Sequence, residues 1–153
     1  MSNLFYQPEL QNNIHYLDQE ESWHCIKVLR KKQGDVINIT DGKGFFYHAV
    51  VDDDNPKRCT FLIENKTQEP ERSYHIHIAI APTKNTDRME WFVEKAVEIG
   101  IDQITFIACR HSERTHLKIN RLQKVAISAM KQSLKASMPL LSELTPFESF
   151  ISH

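Results

Sequence analysis

The stretch YHIHIAIAPTKNTDRMEWFVEKAVEIGIDQITFIA, residues 74–108, decides the fold of the second half of the chain. Its beginning, Tyr74–Ala81, alternates and then becomes apolar, which is typical of a strand buried in a sheet. A capping box at Asp87–Glu90 predicts a helix start, and the apolar face of that helix comprises Met89, Phe92, Val93, Ala96 and Val97. Gly100 suits the left-handed position that ends a helix, and Ile104–Ala108 predicts a second strand. The order predicts a βαβ unit with a parallel sheet and a right-handed crossover.

Further elements follow this unit. A basic loop, Arg110–His116, precedes a predicted helix over 120–136. Leu140–Leu144 predicts one more strand, and Pro146–Ile151 predicts a helical turn. Ligands of open α/β sheets bind beyond the carboxyl ends of the strands, which is where the basic loop begins.

The chain before residue 74 has a different pattern. Short strands are predicted at Asn3–Gln7, Val36–Ile39, Phe45–Val51 and Cys59–Glu64. A capping box at Asp18–Glu21 starts a helix that continues to about Lys32. Several short strands in about 70 residues predict a small β-barrel. Residues 66–73 have no apolar side chain, so we expect a linker there, between domains 1–72 and 73–153.

The composition excludes several function classes. The 153 residues contain four glycines, and neither a G-x-G-x-x-G fingerprint nor a P-loop occurs. All four glycines are predicted to lie in turns or at a helix end: Gly34, Gly42, Gly44 and Gly100. No signal peptide and no membrane-spanning run is present, so we expect a cytoplasmic protein. The eight histidines lack partners at ligand spacing, so we expect no metal.

Three widely spaced cysteines predict no disulfide framework. A nucleophile–base pair of Cys109 with His111 is conceivable. We favour a structural role instead, because Cys109 ends a strand predicted to be buried and nothing orients the base.

Basic residues are concentrated in one region of a chain whose formal net charge is −1. Residues 110–135 contain seven Lys or Arg against one Asp or Glu. Such a region favours a polyanion-facing surface, and a solvated helix face explains the run equally well. Two loops should leave the sheet on one edge, and their phosphate-binding candidates are Lys84, Arg88, Arg110, Ser112, Arg114 and Thr115. Alternatively, Glu113 forms a salt bridge with an arginine that only holds the loop.

A further basic cluster closes the helix of the first domain. It consists of Lys27, Arg30, Lys31 and Lys32. These cations favour a nucleic-acid contact, and they also complement the helix dipole, which explains them without any ligand.

The motifs in order resemble those of the ribosomal RNA small subunit methyltransferase E family. In the first half these are His24-x-x-x-Val28-Leu29-Arg30-x-x-x-Gly34-Asp35, Asp41-Gly42-x-Gly44 and Ala49. The second half has Lys84-x-x-Asp87-Arg88-Met89-Glu90-Trp91, Glu94–Ile101, Ser112-Glu113-Arg114 and Ala129-Met-Lys-Gln132-Ser133 with Pro139. The family often has Glu at the position of Lys131 and Gly-Arg at Leu134-Lys135. The resemblance covers nearly all of the chain.

The resemblance implies a fold and an activity. It implies an α+β protein in which a PUA-like RNA-binding β-barrel precedes the first part of an α/β-knot (SPOUT) domain with a parallel sheet. The family uses S-adenosylmethionine to methylate N3 of a uridine in 16S ribosomal RNA during ribosome biogenesis, and its SPOUT domains form homodimers. The RNA-binding candidates are then Lys27, Arg30, Lys31, Lys84, Arg88, Arg110, Ser112 and Arg114.

This sequence departs from the family at its end. The family's G-P-E-G-G segment and later knot residues have no counterpart before His153. We therefore expect the catalytic and cofactor-binding residues to lie beyond His153 and the 153-residue chain alone to be inactive. Two alternatives stay open: a non-catalytic RNA-binding module, and a dimerisation or assembly fragment without RNA affinity.

Overall fold

The computed structural model describes residues 3–112 and 116–152. The chain divides into two compact units. The first comprises the residues up to Pro70 together with Lys131–Ser137, and the second comprises Glu71–Met130 and the residues from Met138 onward. The sequence places residues 131–137 in the second domain. In the structure the Ala136 carbonyl accepts from the Gly44 N–H at 2.9 Å, a contact too distant in sequence for local patterns to reveal.

The first unit is built on a four-stranded sheet. Its strands are β1 (Leu4–Tyr6), β2 (Val36–Thr40), β3 (Phe45–Asp53) and β4 (Thr60–Gln68), in the order β1-β2-β3-β4. β1 is parallel to β2, and the other pairs are antiparallel. The core includes Phe5, Leu17, Ile37, Ile39, Val51 and Phe61.

The helix of the first unit begins as predicted and ends earlier than predicted. The Asp18 carboxylate accepts from the Glu21 N–H at 2.8 Å and caps α1 (Gln19–Trp23). A π-helical segment, His24–Val28, follows it, and the chain leaves the helix at Leu29 instead of Lys32. Arg30 adopts a left-handed conformation, with a φ of 56°, which a right-handed helix cannot contain.

The predicted linker is wrong for its first three residues. Lys66–Gln68 continue β4 and pair with Phe45–Tyr47 of β3. The Lys66 ammonium lies 3.7 Å from the centre of the Phe45 ring, a cation–π contact. These residues are polar and exposed, so composition alone resembles a loop, although their backbone completes the ladder.

The second unit contains the predicted βαβ arrangement. Its elements are β5 (His77–Ile80), α2 (Thr86–Ile99), β6 (Gln103–Ala108), α3 (Ile119–Gln132), β7 (Leu140–Leu141), β8 (Thr145–Pro146) and α4 (Phe147–Ile151). β5, β7 and β8 all pair with β6 in parallel. The mixed α+β class with a second, parallel sheet is thereby confirmed.

Both ends of α2 are defined by side-chain or backbone geometry. The N-cap is Asn85, whose carbonyl Oδ1 accepts from the Asp87 N–H at 2.8 Å. The predicted cap at Asp87 is therefore wrong by two residues, because Asn and Asp are both good caps and the strand–helix connection selects between them. Gly100 ends the helix with a φ of 97°, as predicted.

The described residues contain no helix that is both long and apolar enough to cross a membrane. Among the same residues, no three His, Cys, Asp or Glu side chains are grouped so that they could hold a metal ion.

Candidate nucleic-acid interfaces

The parallel sheet brings two basic loops to one edge. Ile80, the last residue of β5, is in register with Phe106 near the end of β6. Because parallel strands end on the same side of a sheet, the loop 81–85 and the loop that begins at Cys109 leave at one edge, as predicted. Four sequence-predicted residues lie in or beside these loops, and we call them the cationic edge: Lys84, Arg88, Arg110 and Ser112.

The side chains of the cationic edge are accessible. Lys84, Arg88 and Arg110 are exposed, and Arg88 lies in the first turn of α2 beside the buried Met89. The Ser112 hydroxyl accepts from the Cys109 N–H at 2.8 Å, while the Ser112 N–H donates to the Cys109 carbonyl at 2.9 Å. This turn holds Ser112 in place, and a hydroxyl that accepts one hydrogen bond still has its own proton to donate to an anion.

Part of the predicted loop lies outside the described residues. These positions are Glu113, Arg114 and Thr115. The phosphate-binding role of Arg114 and the alternative Glu113 salt bridge therefore stay predictions.

A groove between the starts of α2 and α3 extends this side of the second unit. It has a volume of about 220 Å³ and is lined by Thr86, Met89, Leu117, Lys118, Arg121 and Leu122. An open depression beside it also includes Lys124. Lys118, Arg121 and Lys124 were part of the basic run in the sequence but were not among the predicted RNA contacts. The concentration of basic residues in 110–135 is the sequence feature from which they could have been identified.

Two cations of that run are already paired with carboxylates. Arg121 forms a salt bridge with Glu90 of α2. Lys131 forms one with Glu21 inside the first unit. A helix face that only contacts solvent therefore does not explain the whole basic run, since each of these two side chains binds another element of its own unit.

In the first unit, two residues of the predicted basic cluster are exposed and the other two form local hydrogen bonds. Lys27 and Arg30 are exposed. The Lys31 ammonium donates to the Val36 carbonyl at 3.0 Å, and the Lys32 N–H donates to the Asp35 carboxylate at 2.8 Å. Lys27 lies in the last turn of the π-helical segment, where a cation also complements the helix dipole.

The cysteines comprise a buried pair and one exposed thiol. Cys25 and Cys59 are buried, and the hydrogen bond with Cys59, together with burial, raises the pKa of the Cys25 thiol. Cys109 is exposed instead of serving as a buried filler, because β6 ends at Ala108.

The α2–α3 groove does not fit S-adenosylmethionine. Its volume is below the ~300–1,000 Å³ of typical small-molecule pockets. Among the described residues, its lining contains no carboxylate that could face the positive sulfonium centre of that cofactor. We therefore assign no cofactor contact and derive no catalytic step at this groove.

Two family models match the chain in order. The RNA methyltransferase PUA domain matches residues 17–64, and the RNA methyltransferase domain matches residues 70–153. The first match lies within the first unit and includes β2 and β3. The second match begins at Pro70, where the first segment of the first unit ends, and it includes every strand of the parallel sheet.

Individual proteins match over most of the chain. A ribosomal RNA small subunit methyltransferase E from Buchnera aphidicola subsp. Acyrthosiphon pisum (strain APS) is 29% identical over 135 residues, 84% of this chain and 53% of that protein. The crystal structure of a probable rRNA-methyltransferase from Porphyromonas gingivalis is 42% identical, with a TM-score of 0.90, and the match covers 97% of this chain and 63% of that one.

A third protein shows the fold at lower identity. The ribosomal RNA small subunit methyltransferase E from Neisseria gonorrhoeae, a crystal structure bound to S-adenosyl methionine, is 23% identical with a TM-score of 0.83, covering 99% of this chain and 65% of that one. The chain spans about half the length of the curated relatives it matches. The resemblance to the methyltransferase E family is confirmed by these findings, and the chain belongs to the RNA methyltransferase family.

Proposed function

We propose that this chain is the RNA-binding and scaffold part of a methyltransferase that uses S-adenosylmethionine to methylate N3 of a uridine in 16S ribosomal RNA. The observation that carries the proposal is the order of the two family models, with the PUA domain first and the methyltransferase domain second. The relatives that are ribosomal RNA small subunit methyltransferases support the ribosomal substrate, and the Neisseria structure supports the cofactor.

The described side chains suit contacts with the RNA backbone. Arginine and lysine neutralise phosphates, and a hydroxyl donates to a phosphate oxygen. We assign this role to the residues predicted from the sequence, namely the described Lys27, Arg30, Lys31, Lys84, Arg88, Arg110 and Ser112, together with Arg114, which lies outside the described residues. Contacts of this kind hold and orient the RNA, while the choice of one uridine requires contacts to base edges.

The methyl transfer itself needs groups that we do not assign to these residues. N3 of uracil carries a proton, which has to leave before or while the methyl group arrives. We propose that the residues for this step and for the cofactor belong to the part of the relatives that the chain does not cover, and that these 153 residues alone transfer no methyl group. Homodimer formation, a cytoplasmic location and a role in ribosome biogenesis are parts of the same proposal.

The proposal is tested with the chain alone and with a longer protein in which the chain is extended by the C-terminal part of a relative. Small ribosomal subunits that lack the modification are incubated with each protein and labelled S-adenosylmethionine. Primer extension then locates the product, because a methyl group on N3 removes the Watson–Crick donor and stops the polymerase. We expect transfer to one uridine by the longer protein and none by the chain. Transfer to another atom or another RNA contradicts the proposal.

A non-catalytic RNA-binding module is the second candidate. The poor fit of the α2–α3 groove to the cofactor favours it for these residues. Equilibrium dialysis of the chain with labelled S-adenosylmethionine distinguishes the two, since saturable binding contradicts a module without catalysis. An assembly fragment without RNA affinity predicts that the chain retains no 16S RNA even at low salt.

A further inference from the structure

The first unit presents a large aromatic side chain beside its basic cluster. Trp23, the last residue of α1, is 56% exposed, and Val28 is 47% exposed. An exposed tryptophan is unusual, since tryptophan is highly buried on average. The spacing of Trp23, Ile26, Val28 and Leu29 predicts one apolar helical stripe, but in the structure Trp23 does not belong to the core of the first unit.

The π-helical segment puts a cation on the same helix face as this tryptophan. The Leu29 N–H donates to the His24 carbonyl at 3.0 Å, which closes a turn from residue i to i+5. In such a turn, residues four and five positions apart lie on one face. Lys27 and Val28 are four and five positions after Trp23, so the three side chains share a face. We call these three residues, together with the exposed Arg30 that follows the helix, the Trp23 surface.

The charge of the Trp23 surface is positive. Within the described part of the chain, no carboxylate lies within ion-pair distance of Lys27 or Arg30. Nearby carboxylates are engaged elsewhere: Asp18 caps α1, and Glu21 binds Lys131 and the Tyr6 N–H. Glu20 is the remaining acidic residue of α1. A neutral or basic partner gains little from two such cations, whereas a polyanion gains from both.

The backbone at Arg30 is held in an unfavourable conformation. Its φ of 56° lies in the left-handed region, where glycine or asparagine is preferred after a helix. The Lys31 N–H donates to the Cys25 carbonyl at 3.1 Å and holds this bend. A long cationic side chain at a position that favours glycine is consistent with a binding role, because strained residues cluster at functional sites.

From these observations we infer that the Trp23 surface binds single-stranded RNA, with Trp23 stacking on an unpaired base and Lys27 and Arg30 binding the adjacent phosphates. The inference rests on the proposed RNA-binding function and adds the kind of RNA and the stacking residue. A base can stack on an aromatic side chain only when it is not already stacked on its neighbours. We therefore expect a continuous duplex not to bind to Trp23 in this way.

The two tryptophans of the chain allow a direct test. Trp91, on α2, is 62% exposed, so Trp91→Phe leaves Trp23 as the sole tryptophan and Trp23→Phe leaves Trp91. Each variant is titrated with a single-stranded 12-mer ribonucleotide (a length of about 12 suits one to two small binding surfaces) and with a duplex of equal length. We expect the single strand to quench the fluorescence of Trp23 and the duplex to leave it unchanged.

Affinity provides a second readout. Because stacking on one base contributes about 1–3 kcal/mol, Trp23→Ala should weaken single-strand binding by about tenfold, and Trp23→Phe should restore part of it. Circular dichroism confirms that each variant is folded. Lys27→Gln should reduce the dependence of binding on salt concentration while the quenching at saturation persists.

Each contrary result has a distinct meaning. Single-strand binding without quenching of Trp23, or equal quenching by the duplex, overturns the inference and leaves the proposed function in place. Loss of binding to ribosomal subunits by Trp23→Ala, with RNA affinity unchanged, assigns the surface to a protein partner and also overturns it. If the chain binds no RNA at low salt, both the inference and the proposed RNA-binding role are wrong.

Discussion

The hydroxyl of Tyr47 donates to the carboxylate of Asp41 at 3.0 Å, and both residues are buried in the first unit. Asp41 also accepts from the backbone N–H groups of Lys43 and Phe45, at 2.8 and 3.3 Å, and from the side-chain amide of Gln11 at 3.0 Å. The aspartate of the Asp41-Gly42-x-Gly44 motif therefore holds the β2–β3 turn, which gives this part of the family signature a structural role.

Removing the Asp41 carboxylate should destabilise the chain markedly. Asp41→Ala leaves four donors without their acceptor, and we expect a loss of about 2–4 kcal/mol in the free energy of unfolding. Asp54→Ala, at an exposed position, is the matched control and should change stability by less than ~0.5 kcal/mol. Urea denaturation measures both variants, and equal midpoints contradict the role of Asp41.

Tyr47 should make the first unit sensitive to alkali. Burial and the neighbouring Asp41 raise the pKa of Tyr47 from 10.0 to about 12. The folded state then retains the phenol proton more strongly than the unfolded state. The contribution is full below pH 10 and is lost between about pH 10 and 12, by up to ~3 kcal/mol. Denaturation at several pH values should show a shallower alkaline decline in Tyr47→Phe. Burial also raises the pKa of Tyr6, so the difference between the two proteins is the relevant quantity.

Reversing one charge of the Glu21–Lys131 ion pair should destabilise the chain, and reversing both should restore part of the stability. Both side chains are mostly buried, and they join α1 to the segment 131–137. Lys131→Glu places two carboxylates together, and we expect a loss of ~2–4 kcal/mol. The double variant Glu21→Lys with Lys131→Glu should recover part of this loss. Additive effects of the two substitutions in thermal denaturation contradict a direct interaction.

The cationic edge should contribute to RNA affinity through charge. Arg88→Ala and Arg110→Ala should each weaken binding and reduce the slope of log K against log salt by about 0.7–1. Arg114→Ala is predicted to do the same from the sequence alone. Lys95→Ala is the matched control on α2, since the Lys95 ammonium is already paired with Glu94 and Glu98 at 2.8 and 3.0 Å. An unchanged salt slope in the three arginine variants contradicts the assignment.

Arg30→Gly should separate stability from binding. Glycine adopts the left-handed φ of this position without the cost of a side chain, so we expect stability to be unchanged or raised by up to ~1 kcal/mol. RNA affinity should fall severalfold because a phosphate contact is lost. A destabilised variant with full RNA affinity indicates that Arg30 has a structural role alone.

Local patterns in the sequence were sufficient for most elements. The alternation in residues 74–81, the helical stripe before Gly100 and the apolar run Ile104–Ala108 predicted the βαβ unit, because their periodicity reports one buried face. The four glycines were assigned correctly to turns and a helix end, and all four have positive φ angles. The ordered motifs also identified the family.

Features without a local pattern needed the structure. Residues 66–68 belong to β4 because backbone pairing with β3 is independent of side-chain polarity. Asn85, not Asp87, caps α2, since either side chain is competent and the path of the connection decides. For the candidate interfaces, the sequence identified the cations as a set, but it did not distinguish the exposed Arg88 from the paired Arg121.

The sequence by itself determined the family, the α+β class and the basic segments, since each depends on residues close together along the chain. The tertiary structure decided which charges are engaged, as with Glu21 and Lys131, which are 110 positions apart. It also decided that Trp23 faces solvent and that a π-helical segment follows it. Contacts between distant segments and small changes in helical phase leave no signal in local periodicity, and here they define the surfaces that we propose for RNA.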